Sequence, residues 1–226
     1  PRDAWDQWNN KNPRVITKLN ERGYIRPIGT IKLGPDGRLY SGWQAKYGTY
    51  GGAIAITNPK TEETELIENP LGEQAIAGIA VGEGVVFAGT SLSGNGLPQK
   101  EGEWARFGVI DIASGKTIFE RTFAGKRGVR ALAYDPASKR VLVSVDSGLQ
   151  LFDANVCGFA SIDAPRPSGG SVAATGDGKL YYGSGNCLIA LDMATGKFET
   201  VIDAGRKVSS VAADSKGGVY FSSGVD

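Results

Sequence analysis

Apolar residues in this chain come in short runs separated by clusters of Gly, Asp, Asn and Ser. The stretch Gly176–Thr200, GDGKLYYGSGNCLIALDMATGKFET, shows the pattern most plainly. Asp177-Gly178 signals a turn, Leu180-Tyr181-Tyr182 is a β-rich run and Cys187–Leu191 is a second run. Asp192–Gly196 then reads as a tight turn and Lys197–Val201 as a third run. With Ser171–Ala174 in front, four short strands fit in roughly 40 residues, the size of one blade of a β-propeller.

The unit recurs. The apolar landmark of the second strand returns as Tyr40, Phe87, Val143, Tyr181 and Tyr220. The turn after the third strand returns in the same order as Asn58–Thr61, Asp111–Gly115, Asp153–Asn155 and Asp192–Gly196. Asp and Asn suit that turn because their side chains bond back to nearby backbone amides. Full blades are expected over 27–70, 71–124, 125–165 and 166–205, with half a blade over 206–226. The N-terminal run Arg14–Leu19 reads as a strand able to complete that half blade, so that no sheet edge is left exposed. The fold expected is therefore all-β: one β-propeller domain over 1–226, of five blades closed by pairing of its two ends. The alternative is a part of a six- to eight-bladed propeller. No helix is strongly indicated; the best candidate is the short stretch Asp3–Asn10.

Composition changes the picture in three ways. A chain of 226 residues can bury a sizeable core without a disulfide scaffold, and its 33 glycines suit many tight turns. Lys and Arg total 25 against 24 Asp and Glu, a balance that argues against a broad nucleic-acid footprint. No run of 18 apolar residues occurs, so no membrane-spanning helix is expected. The sequence opens at Pro1 without Met or a signal peptide, which reads as a processed or excised segment of a longer precursor.

Histidine is absent. Ser-His-Asp and Cys-His catalysis and imidazole metal sites are thereby removed, leaving proton chemistry to Asp, Glu, Lys, Tyr or Arg. Cys157 and Cys187 fall at opposite ends of neighbouring sheets, so two free thiols are expected rather than a disulfide. No metal site and no cofactor is expected.

Candidate chemistry gathers on one face of the disc. There, loops joining second to third strands lie beside the beginnings of the first strands. The first-blade loop, Gly42–Gly52, carries Trp43, Tyr47 and Tyr50. The second-blade loop, Thr90–Phe107, is the longest in the chain and carries Trp104 and Arg106. Aromatic rings among amides and hydroxyls suit the stacking and hydrogen bonding of sugars, and long loops on a rigid scaffold often carry function. The same aromatics would equally serve to pin the loops onto the blade edges. First-strand beginnings add Arg26, Gln74, Arg130 and Lys207, with Ser168 and Ser171 in the fourth blade. Converging cations there would favour an anionic ligand such as a uronic acid or a phosphate, or would pair with neighbouring blades. Lys126 and Arg127 either extend that patch or sit in solvent. Asp36, Asp135, Asp177 and Asp214 occupy first-to-second turns on the opposite face and are read as serving turn geometry.

The phrases Leu39-Tyr40-Ser41-Gly42, Ala53-Ile54-Ala55-Ile56 and Leu188–Lys197 (LIALDMATGK) resemble the repeats of bacterial propellers of the YVTN/NHL/PQQ-like superfamily. The resemblance covers nearly the whole chain and implies a propeller of that kind. The stretch Arg26–Gly96 also resembles repeat proteins, often secreted, in which a propeller accompanies polysaccharide-active domains. What this implies is a soluble protein, outside the cell or at its surface. The quinone cofactor of some relatives is not carried over, because its tryptophan-docking pattern is missing.

Two functions follow. One is a non-catalytic module or scaffold that binds a carbohydrate, another polar or anionic ligand, or a protein partner at the channel mouth. The other is a polysaccharide lyase or hydrolase acting on an acidic glycan. In it, Arg26 or Arg130 would neutralise a uronate and Tyr47 or Tyr50 would act as base and acid, which needs a lowered tyrosine pKa.

Overall fold

A computed structural model of the chain describes residues 15–146, 148–168, 171–214 and 216–224. Over these residues the short apolar runs form antiparallel sheets whose strand order follows the chain. The first sheet contains β1 (Tyr24–Leu33), β2 (Leu39–Ala45), β3 (Gly52–Thr57) and β4 (Thr64–Glu68). The second contains β5 (Ala75–Val81), β6 (Val85–Ser91), β7 (Arg106–Asp111) and β8 (Thr117–Thr122). The third contains β9 (Val129–Asp135), β10 (Arg140–Val145), β11 (Gly148–Asp153) and β12 (Gly158–Ile162). The fourth contains β13 (Val172–Ala174), β14 (Lys179–Ser184), β15 (Cys187–Asp192) and β16 (Phe198–Asp203). The last holds only β17 (Val208–Ala213) and β18 (Val219–Ser223) among the described residues.

Burial across each sheet explains the sequence pattern. Third strands such as β3, β7 and β15 are buried along most of their length, so they read as continuous apolar runs. Fourth strands form the outer edge, and β16 is exposed at every position. Neighbouring sheets stack face to face, each pair closing its own apolar cluster. Tyr40, Ile54 and Ile56 of the first sheet meet Ile76, Ile79 and Val86 of the second. Phe87, Phe107 and Val109 meet Val129, Val143 and Phe152 of the third. Leu142 and Leu151 meet Leu180, Tyr182 and Ile189. Ala173 and Leu188 meet Val208 and Val211. The second interface is the most aromatic, with the Phe107 and Phe152 ring centroids 4.8 Å apart.

Close approach between sheets depends on one glycine in three of the four complete blades. A Cβ at Gly42, Gly89 or Gly183 would lie 2.5, 2.5 or 2.6 Å from the carbonyl oxygen of Ile76, Val129 or Val208. Glycine therefore seats the first strand of the next sheet against the second strand of the one before. In the third sheet the equivalent position is Ser144, four residues after the partner of the turn aspartate, as Gly89 and Gly183 are in theirs. This register corrects one landmark: Leu142, not Val143, is the equivalent of Phe87 and Tyr181. Val143 packs back onto the second sheet. A slip of one residue along a strand reverses the face.

Third-to-fourth turns close as their sequence implies. Asn58 accepts from the Lys60 amide at 2.9 Å, Asp111 from Ser114 at 2.8 Å, Asp153 from Asn155 at 2.9 Å and Asp192 from Thr195 at 2.7 Å. Cys157 and Cys187 are free thiols. No helix among the described residues is long and apolar enough to cross a membrane.

The N-terminal segment departs from expectation. Arg14 and the stretch Asp3–Asn10 lie outside the described residues. Val15–Lys18 forms no strand, and Leu19–Arg22 is a 3₁₀ turn ended by Gly23 at φ 89°. The expected pairing of Arg14–Leu19 with the last sheet is therefore not formed over the described part. The physical reason is burial elsewhere: Leu19 packs with Tyr24, Ala53 and Ala55 on the outward face of the first sheet. First strands pack in series, β1 on β5, β5 on β9, β9 on β13 and β13 on β17. No comparable packing joins β17 to β1 among the described residues.

Candidate functional site

The two long loops meet, as their placement on adjacent blades requires. Six residues, Lys46–Gly51, link β2 to β3, and Leu92–Ala105 links β6 to β7. They are tied together across the blade boundary by four hydrogen bonds. The Gly48 amide donates to the Asn95 carbonyl at 2.9 Å, and Asn95 Nδ2 donates to the Ala45 carbonyl at 3.2 Å. The Tyr50 hydroxyl donates to the Pro98 carbonyl at 2.9 Å, and Gln44 Nε2 donates to the Ser93 carbonyl at 2.7 Å. Lys100 pairs with Glu73 and holds its ammonium 4.4 Å above the Tyr50 ring. The hydrogen bond that Lys100 donates to Glu73 raises the Lys100 pKa. The crevice left between the loops measures about 20 Å³, space for one water.

Sequence-derived candidates divide into three groups. Tyr47, Tyr50 and Trp104 do belong to this rim. Tyr47 is 75% exposed with its ring against Gly96, where a Cβ would sit 2.1 Å from it; Trp104 is 37% exposed. Gln74 is a buried strut beneath it, accepting from Thr90 Oγ1 at 2.6 Å and donating to the Trp104 carbonyl at 3.1 Å.

Trp43 and Arg106 do not join them. Strand alternation turns Trp43 to the outward face of the first sheet, where it packs on Leu19, Tyr24, Ala53 and Ala55 and donates to Ser41 Oγ at 2.9 Å. Arg106 lies over Gly72 and pairs with Glu120 at 3.2 Å.

The first-strand beginnings form the third group. Arg26 donates to Gln44 Oε1 at 2.7 Å, which links it to the rim through Ser93. Arg130 donates to Ser91 Oγ at 3.1 Å. Ser168 is bonded to the Gly183 carbonyl at 3.1 Å, and Lys207 is exposed just before β17. Beside Arg130 a cavity of about 330 Å³ opens between the second, third and fourth blades. Arg127, Arg166, Ser144 and Asp146 line it with Arg130 and Ser91. Arg166, Asp146 and Ser144 were not legible as site residues. The available signal was Ser144 standing in a position that is glycine in the other complete blades.

Acidic residues of the opposite face serve their turns. Asp36 accepts from Arg38 and from the Tyr40 hydroxyl at 2.7 Å, and Asp214 accepts from Lys216, Gly218 and the Tyr220 hydroxyl. Among the described residues no three His, Cys, Asp or Glu side chains gather as a metal site. Burial pushes tyrosines up: Tyr24 and Tyr134 are raised, and Tyr182 is raised to about 12.

No family model and no curated protein sequence matches the chain. Solved structures do. A chain of the mitotic checkpoint complex is similar with a TM-score of 0.64 and 16% identity, over 90% of this chain and 61% of that one. A chain of the nidogen/laminin complex gives 0.59 and 16%, over 87% and 72%. The Dos1 propeller gives 0.60 and 10%, over 89% and 53%. The chain thus spans 61% of the length of the first of these. At such identities the likeness establishes the fold alone, and the fold is a β-propeller.

Proposed function

We propose that this chain is a non-catalytic recognition module, its residues acting as one propeller unit that binds a protein partner on the loop rim. The observation that carries this reading is the knitting of two long loops into one surface by hydrogen bonds across a blade boundary, with Tyr47 and Trp104 left exposed on it. A pre-ordered surface loses little conformational entropy on binding, and exposed Tyr and Trp are the side chains most often found at the centre of protein interfaces. Structural neighbours from the mitotic checkpoint and nidogen/laminin complexes, both protein assemblies, support it at the level of fold. The repeat phrases point further to bacterial propellers of the YVTN/NHL/PQQ-like kind and to a location outside the cell or at its surface.

Carbohydrate binding is the second reading, favoured by the exposure of the same two rings. It would be surface stacking, because the crevice between the loops is far too small to enclose a pyranose.

Affinity capture with quantitative mass spectrometry, run beside a glycan array, tests both. Tyr47→Ala and Trp104→Ala are each expected to deplete the captured partner at least tenfold. Trp43→Ala, on the other face of the sheet, is expected to lower stability by about 2 kcal/mol and to leave capture unchanged. Equal capture by all variants would remove the rim as the site. Glycan binding lost in both rim variants, with no protein captured, would select the second reading.

A further inference from the structure

We propose that the cavity beside Arg130 is a binding site for a phosphate monoester. Its size, about 330 Å³, falls at the small end of the range for small-molecule pockets, roughly 300–1,000 Å³. Its charge is what selects the ligand. Arg127, Arg130 and Arg166 line it against a single carboxylate, Asp146.

The guanidinium groups are not consumed by partners of their own. Arg130 meets only the Ser91 hydroxyl, and the side chains of Arg127 and Arg166 have no hydrogen-bond or ion-pair partner among the described residues. Asp146 is held by backbone instead. Its Oδ2 accepts the Arg127 amide at 2.8 Å and its own amide donates to the Gly128 carbonyl at 3.0 Å. No ion pair joins it to the three arginines among the described residues. Two positive charges therefore remain in excess, which a dianion neutralises and a monocarboxylate does not. Guanidinium forks match phosphate oxygens in geometry as well as charge.

The site is a departure from the repeat rather than a gap in it. Gly42, Gly89 and Gly183 each admit the first strand of the following sheet into close contact. The equivalent position in the third blade is Ser144, which carries a hydroxyl where the other complete blades have none. The cavity wall there carries donors. Ser144 is the cross-strand partner of Arg130, so both side chains share one face, and Ser91 and Ser144 are buried hydroxyls at its wall.

One phosphate chemistry could arrive on a small metabolite or on a phosphorylated side chain, and the test separates them. Calorimetry at low ionic strength would compare phenyl phosphate, inorganic phosphate, glucuronate, and a phosphoserine peptide with its unphosphorylated form. Phosphate monoesters should bind saturably and at least tenfold more tightly than glucuronate. Arg130→Gln, Arg166→Gln and Arg127→Gln should each weaken binding at least tenfold. Asp146→Asn, which keeps an acceptor for the Arg127 amide, should tighten it severalfold, a gain no merely structural role would produce. Circular dichroism checks that each variant is folded; Arg127 and Arg166 are exposed, so their replacement leaves the core intact. A phosphopeptide that binds far better than phenyl phosphate identifies a phosphorylated partner, and equal binding identifies a small ligand. The proposal is overturned by no saturable binding at millimolar ligand, by equal affinity for glucuronate, or by arginine variants that bind as wild type does. Tyr47→Ala should leave phosphate binding unchanged, so failure of this site and failure of the rim are told apart.

Discussion

Asp192 closes its turn by accepting both the amide and the hydroxyl of Thr195, at 2.7 and 2.9 Å. The Thr195 amide is the main cause that holds its carboxyl below the ordinary aspartate range, with the hydroxyl next. Asp111 repeats the arrangement with Ser114, whose hydroxyl is there the larger influence. A carboxyl depressed in the folded state contributes stability that is in place above the unfolded value, about 3.9, and is lost as pH falls through the folded value. Urea midpoints should therefore fall on acidification below about pH 4. Asp192→Asn keeps the acceptor without the titration, so its midpoint should fall less steeply; an unchanged pH profile would remove this turn from the account.

At the scale of elements, the second strand decides how blades meet. Its alternation sends Tyr40 and Gly42 toward the next sheet and Ser41 and Trp43 away from it, which is why Trp43 leaves the rim. Gly89 shows how tight that seam is: an added Cβ would lie 2.5 Å from the Val129 carbonyl, a backbone atom that cannot step aside. Gly89→Ala should destabilise the protein by about 1–3 kcal/mol through overpacking, measured by chemical denaturation. A loss below a few tenths of a kcal/mol would mean that the second and third sheets slide apart more freely than their packing implies.

For the molecule as a whole, Tyr40 and Tyr220 make the same point from two ends. They hold equivalent positions on second strands, and each hydroxyl donates to the aspartate of its own turn. Tyr40 is fully buried because the second sheet covers it; Tyr220 is 63% exposed because no sheet among the described residues follows β18. Tyr40→Ala should cost about 3–5 kcal/mol and Tyr220→Ala less than about 1 kcal/mol, by denaturant titration. Comparable losses would show that the Tyr220 face is covered in solution.

Local interactions made the repeat legible in the sequence. Period-two alternation, Asx turns and the spacing of Tyr40, Phe87, Tyr181 and Tyr220 each depend on residues close along the chain, and they define strands, turns and the propeller architecture. Proximity of the two long loops was legible for the same reason, since adjacent blades must present equivalent loops side by side. Contacts between blades were not. The face taken by Trp43, the one-residue shift at Leu142, the burial of Leu19 away from the last sheet and the meeting of Arg127, Arg130 and Arg166 all join residues distant in sequence. Only the stacking of finished sheets sets which of those side chains share a space.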